Sequence, residues 1–463
     1  GLDTCFYSDE IQIGRVVGKK GYQDSFEKVE EGVYHWKREG ILTDRMDMEI
    51  RTSYKPDFTM IPGLNYNGNG WGTFCEYTSD RYQKDYMDQG TPWKYGWHRS
   101  AVAAMTYSEK KICGRVISLA LFGEEEGGNS CQLYEENAEE VHRLCWPEEE
   151  TPKKLNLYRL SEPWYGMKKA QSSFSGWIVI EENGEEKSSY TKALDAAWKL
   201  NDRERPLPFN REDIWKYALA YAETLYTEEK EGFCGFNIGL SWDGKEWKKR
   251  KYNKYEIGWC GQNVSYANSF LYEALEKENE KAAGIGFRVL DSWLKYAMSP
   301  AGVVNSYYDP KQVRTLEACD LGTAGCGYFE AAELAERLKA KGVFPFNFGE
   351  LDERVKSYRK AAFDVCDFAI RVQDREGAFA KSWYEDGSAA VKKGTVGAFL
   401  VLPLIRGYQL SGRKEYLEAA SRGMTFYLRE LEVNGFTTAG ALDIFSIDKE
   451  SSIPLLKGAI ELY

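Results

Sequence analysis

One local pattern recurs four times in the second half of the chain: a Gly-aromatic stretch, a polar or acidic loop, then an apolar helix. The copies run from Gly232-Phe233 through Trp259-Cys260-Gly261-Gln262-Asn263 into YANSFLYEAL, and from Gly302-Val303 through Glu317-Ala318-Cys319-Asp320 into GYFEAAELAERL. They continue from Gly377-Ala378-Phe379 through Trp383-Tyr384-Glu385-Asp386 into GAFLVLPLIRGY, and from Gly435-Phe436 through Asp443, Asp448 and Glu450 into SIPLLKGAIELY. Helix starts near 262, 322, 394 and 452 give a period of roughly sixty residues, which implies stacked helical units unable to bury their apolar faces singly. A repeated loop at the start of each inner helix gathers aromatic and carboxylate side chains at one end of the array. Such a gathering suits a sugar.

Before the repeat, residues 1 to about 188 alternate with period two in runs such as GVYHWKREG, MDMEIRTSY and CGRVISLALFG, parted by Gly, Asn and Pro turns. They predict antiparallel sheets stacked as a sandwich. The Gly/Asn-rich aromatic segment GLNYNGNGWG at 63–72 is expected to protrude toward a site. Near 190 the period changes: SYTKALDAAWKLN reads as a linker helix and RERPLPF as a Pro-punctuated linker. Helices dominate from 211 to 463, at 211–226, 264–277, 280–297, 326–341, 350–373, 395–410, 413–431 and 452–463. The expected fold class is therefore α+β multidomain: a β-sandwich over 1–188, a linker over 189–210 and an (α/α) toroid over 211–463. Eight helices fall short of a closed ring, so the closing helices are expected from further sequence or a second polypeptide; an open partial toroid is the alternative.

The 463 residues exceed the roughly 250–300 at which a single hydrophobic core stops growing, so more than one core is expected. Fourteen Trp and 31 Tyr supply flat amphipathic surfaces for packing on sugar rings or for filling a large sandwich core. A net charge of −11 argues against nucleic acid, which needs clustered cations. The one basic run, KEWKKRK at 245–251, reads as a solvated hairpin face. No apolar run reaches membrane-span length. Scattered cysteines without CxxC pairs, and three histidines without HExxH, point away from a metal centre. P-loop, dinucleotide and GxSxG signatures are absent, so no cofactor is expected. No signal-peptide core opens the sequence, which suggests the cytoplasm, or secretion with a signal already removed.

The motifs IPGLNYNGNGWG, WHRSAVAAMTYSE, EIGWCGQN and GFTTAGALDIFSIDKESSIPLL resemble glycoside hydrolase family 154, within the bacterial glycoside hydrolases that join a sandwich to an (α/α)6 barrel. The resemblance implies a uronic-acid glycan as substrate and β-glucuronidase activity.

Glycoside hydrolysis needs one protonated and one ionised carboxyl group. The candidates for catalysis are Glu450 and Asp448 at the last helix start, and Asp320 and Glu317 in an earlier copy of the loop. Facing loops would pair Glu450 or Asp448 with Glu317 or Asp320. Substrate contacts are expected from Trp259 and Trp383 by stacking, and from Gln262, Asn263, Asp443 and His98 by hydrogen bonding. Arg81 or Arg99 would hold a uronate, since a guanidinium binds carboxylate bidentately. Two other readings stay open: a lyase that abstracts the proton α to a uronate, with Tyr or His as base, and a non-catalytic glycan binder. Expected partners are a carbohydrate and, for assembly, a second copy or a barrel-completing chain.

Overall fold

The computed structural model describes residues 1–66, 94–124, 128–150, 164–165, 169–201, 208–252, 254–308, 315–342, 348–434, 437–438 and 449–463. The chain divides into two compact units, Gly1–Arg205 and the helical part from Pro206 onward.

In the first unit a six-stranded antiparallel sheet has the order Thr4–Ser8, Ile11–Val16, Met46–Arg51, Glu139–Trp146, Ser130–Glu136, Tyr95–Gly96. A seven-stranded one has the order Tyr22–Glu30, Val33–Thr43, Gln171–Gly184, Arg115–Gly123, Thr106–Ile112, Phe58–Ile61, Asn65–Tyr66. Alternation assigns the faces. In MDMEIR, Met46, Met48 and Ile50 point inward and meet Ile117, Leu119 and Leu121 of the facing sheet. The run RVISLALFG does not alternate, because both of its faces are covered. Its Ala120 and Phe122 point the other way, onto Ala193, Ala196 and Ala197 of helix α1 (Tyr190–Asn201). The helix expected to be a linker is thus a lid on the sandwich, held by an alanine face.

Two buried polar groups lock this unit. The Arg38 guanidinium, 1% exposed, donates to both carboxylate oxygens of Asp24 at 2.8 Å and to the Asp47 and Val17 carbonyls. Trp36 Nε1 also donates to Asp24 Oδ1. His142 bridges the sheets, 2.8 Å from Ser108 Oγ and 2.9 Å from Thr106 Oγ1, and burial pushes its imidazole down to about 3. With a hydroxyl partner on each ring nitrogen, this buried group is a strut.

In the second unit eight described helices, α2 (Arg211–Leu225) through α9, surround one apolar core. The hairpins are α3 (Asn263–Lys277) with α4 (Glu280–Tyr296), α5 (Ala318–Lys341) with α6 (Phe348–Val372), and α7 (Val401–Ser411) with α8 (Lys414–Asn434). α9 (Ser452–Leu462) packs on α7, and the inner helices α3, α5, α7 and α9 follow one another as a row. The eight helices match the expected number. Two starts differ from expectation. α5 begins at Ala318 rather than near 322 or 326, because GTAGCG runs on as helix whose small residues admit its neighbours. A Cβ on Gly327 would lie 2.4 Å from Val264 of α3. α7 is entered through a 3-10 turn, Val396–Leu400. Among the described residues no helix is long and apolar enough to cross a membrane.

Asp24→Ala would strand a buried guanidinium, so the first unit should lose about 3–5 kcal/mol in urea denaturation followed by Trp fluorescence. A loss under about 1 kcal/mol would show that Arg38 finds water instead.

Candidate active site

Short strands sew the inner helix starts of the second unit together. Tyr255–Glu256 pairs with Tyr307–Tyr308, and Thr315–Glu317 pairs with Ser382–Tyr384. The Ser306 amide joins the two pairs by donating to the Thr315 carbonyl at 3.2 Å. Thr315–Glu317 runs directly into α5, and Tyr255–Glu256 leads through residues 257–262 into α3.

Asn263, the first residue of α3, holds the loop that shapes this region. Its Oδ1 accepts from the Phe236 amide at 2.6 Å, and its Nδ2 donates to the carbonyls of Phe236, Glu256 and Gly261. Gln262 takes a left-handed conformation (φ 47°) so that the chain can turn from this loop into the helix. The loop closes on Glu256, whose Oε2 accepts from the amides of Cys260 at 3.0 Å and Gly261 at 2.7 Å. Its next contact is Asp320: the Gly258 amide donates to Asp320 Oδ1 at 3.1 Å. A Cβ on Gly258 would sit 2.8 Å from both Asp320 Cα and Oδ1, so only glycine allows this approach.

Three carboxyl groups therefore converge. Asp320 is fully buried and Glu256 nearly so, while Glu317 keeps a partly open side chain. Lys381 Nζ lies 3.2 Å from Glu317 Oε2. Burial, then the charges of Glu256 and Glu317, pushes Asp320 well above the ordinary carboxylate range. The Ser306 hydroxyl and the Gly258 amide oppose that shift without reversing it. Asp320 Oδ2 has no hydrogen-bond partner among the described residues. Burial likewise raises Glu256 against its two amide donors and the Tyr307 hydroxyl. The Tyr307 phenol is raised by burial and then by Asp320, Glu256 and Glu317. Cys260 reaches solvent, yet partial desolvation within the loop and then Glu256, Asp320 and Glu450 push its thiol up to about 12, so Glu450 acts on the same rim.

One turn along α5 from Asp320 begins a cavity of about 740 Å³ between α3, α5, α7 and α9. Thr323, Phe399 and Ile453 line its near end, and Glu333, Arg406 and Lys457 the far end. Trp259 packs edge-to-face on Phe399, 5.3 Å between ring centres. Among the described residues no group of His, Cys, Asp and Glu is arranged to hold a metal ion.

No family model matches the chain, and no curated protein sequence matches it. Among solved structures it is similar to a GH76 α-mannanase from Bacteroides thetaiotaomicron, at 14% identity over 54% of this chain and 68% of the other, with a TM-score of 0.37. It is also similar to an unsaturated glucuronyl hydrolase from Bacillus sp. at 13% identity, covering 49% and 72%, TM-score 0.32. A family 10 polysaccharide lyase from Cellvibrio cellulosa matches at 12% identity, covering 46% and 67%, TM-score 0.31. The chain spans about half the length of two further matches. Likenesses at this level carry no argument about what the chain does.

Of the expected catalytic residues, Glu317 and Asp320 meet in the cluster and Glu450 stands half-buried at its rim, whereas Asp448 lies outside the described residues. Asp320 is fully buried, with Gly258 packed against it. Asn263 is a correction: its amide is spent on backbone groups and reaches no substrate. Trp383 is another, 1% exposed and packed on Phe368, with no face left for a sugar. Trp259 and Gln262 lie at the rim, one half-buried and one exposed. Arg99 is exposed on the first unit, in the 3-10 turn Trp97–Arg99 that also contains His98. Arg81, Asp443 and residues 67–72 of the aromatic loop lie outside the described residues. Asp386 is a turn residue bound to Ser388 at 2.6 Å. Sequence reasoning missed Glu256, Tyr307 and Lys381. Glu256 had a signal, since it ends a short strand before an inner helix as Glu317 does.

Asp320→Asn tests the burial argument. A carboxyl raised in the folded state binds its proton more tightly there, so it opposes folding increasingly as pH rises past the ordinary value of 3.8. The variant should melt at or above wild type near pH 7 and lose stability less steeply from about pH 4 upward. Melting well below wild type at both ends would make Asp320 an ordinary structural acceptor.

Proposed function

We propose that the chain is a glycoside hydrolase acting on uronic-acid-containing glycans, with Glu317 and Glu450 as its reacting carboxyl groups. The observation that carries this reading is the convergence of Glu256, Glu317 and Asp320 at the inner helix starts, in environments that differ from one another. Hydrolysis of a glycosidic bond divides its labour between a carboxyl that holds a proton and one that gives up charge. Glu317, ion-paired with Lys381 and partly open, takes the part of base or nucleophile. Glu450, half-buried at the last inner helix start, takes the part of acid. Asp320 and Glu256, both held toward the neutral form, limit the negative charge behind them, and that tolerates an anionic sugar. The β-glucuronide as substrate rests on the resemblance of the loop motifs to family 154.

Tyr307 is the tyrosine of the carboxyl cluster and would be the candidate base for a β-elimination. Its phenol is raised by burial and then by the surrounding acids, the wrong direction for a base, so hydrolysis is the better reading.

A panel of p-nitrophenyl glycosides tests this. Release from the β-glucuronide should fall on the order of 10²–10⁴-fold in Glu317→Gln and in Glu450→Gln, with both variants folded. A conjugated, ultraviolet-absorbing product from a polyuronate, without p-nitrophenol release, would replace the hydrolase with a lyase. Undiminished release in Glu317→Gln would remove that residue from the chemistry.

A further inference from the structure

The basic run singled out in the sequence folds into a hairpin, Leu240–Trp242 with Trp247–Lys249, whose two tryptophans are paired across the strands. Their ring centres are 5.5 Å apart at 56°, and they remain 55% and 64% exposed. A cross-strand aromatic pair steadies a hairpin. These rings leave more than half their surface in water, which that role does not require.

The base of the hairpin is rigid. Buried Asn237 clamps Arg250, accepting from its amide at 3.1 Å and donating to its carbonyl at 3.0 Å. Lys248 is taken up by Asp243 and Glu246, and Lys249 by the Tyr226 carbonyl and Thr227 hydroxyl. Lys245, Arg250 and Lys251 are exposed, and their side chains make no ion pair among the described residues. Arg250 also lies close enough to Cys260 to act on its thiol, so the foot of the hairpin adjoins the rim of the acidic cluster.

We infer that this hairpin is a binding arm for an extended acidic polysaccharide, which stacks on Trp242 and Trp247 and is held through its carboxylates by Lys245, Arg250 and Lys251. The proposal rests on the uronic-glycan reading of the second unit. Aromatic faces take the apolar side of a pyranose ring, and spaced cations match one carboxylate per sugar better than a dense phosphate backbone. Asp243 and Glu246 between the tryptophans, on a chain of net charge −11, weigh against nucleic acid.

Affinity electrophoresis of the intact chain in gels carrying polygalacturonate or dextran tests it, since binding is read without hydrolysis. The wild type should be retarded by polygalacturonate and not by dextran, less so as salt rises. Trp242→Ala/Trp247→Ala should weaken retardation at least about tenfold, the effect of losing stacking contacts of roughly 1–3 kcal/mol. Trp242→Phe/Trp247→Phe, which keeps the aromatic faces, should restore most of it, and circular dichroism checks the fold. Lys245→Gln/Lys251→Gln should flatten the salt dependence. Equal retardation of wild type and alanine variant, or none for the wild type, overturns the proposal. Tighter binding to single-stranded DNA or to anionic vesicles than to polygalacturonate overturns it too. Hairpin-dependent retardation in a chain that cleaves no glycoside would overturn only the hydrolase reading.

Discussion

The clamp that Asn263 makes on the 256–261 loop is the interaction on which the second unit's site depends. An amide side chain with three carbonyl acceptors and one amide donor around it has a single satisfying geometry. In that geometry the loop amides of Cys260 and Gly261 aim at Glu256, and Gly258 lies against Asp320. Removing the clamp would leave buried backbone carbonyls unpaired, a cost of about 1–3 kcal/mol for each such group.

Burial then sets the chemistry. Two carboxyls shut behind a loop cannot both ionise at low cost, so they are driven toward the neutral form, while Glu317 is compensated by Lys381. An oxygen on Asp320 without a partner among the described residues is a cost the fold carries at that position. Costs of this type collect at functional sites, where stability is traded for reactivity. In the sandwich, by contrast, the buried Arg38 and His142 have their polar groups matched by neighbours.

The basic hairpin belongs to the same economy of charge. Its foot is clamped by one buried amide, Asn237, much as the site loop is clamped by another. Exposed tryptophans, with cations that make no ion pair among the described residues, stand beside a rim crowded with acids, so the two surfaces present opposite signs to an incoming chain.

Much of the architecture was legible in one dimension. Period-two runs marked the strands, and the sixty-residue recurrence placed the inner helix starts of α3 and α9 closely, because periodicity reports which face is buried. Glu317 and Asp320 were visible as acids at a repeated place. Sequence by itself determined that carboxylates and aromatics would sit at helix starts. Only the tertiary structure decided which of them meet and which are sealed. The glycine run in α5 looked like a loop until packing made it a helix, and Trp383 looked like a platform until Phe368 covered it. Glu256 and Tyr307, some fifty residues apart, become strand partners only when two hairpins align. Ionisation depends on burial and on neighbours distant in the chain, and local order carries neither.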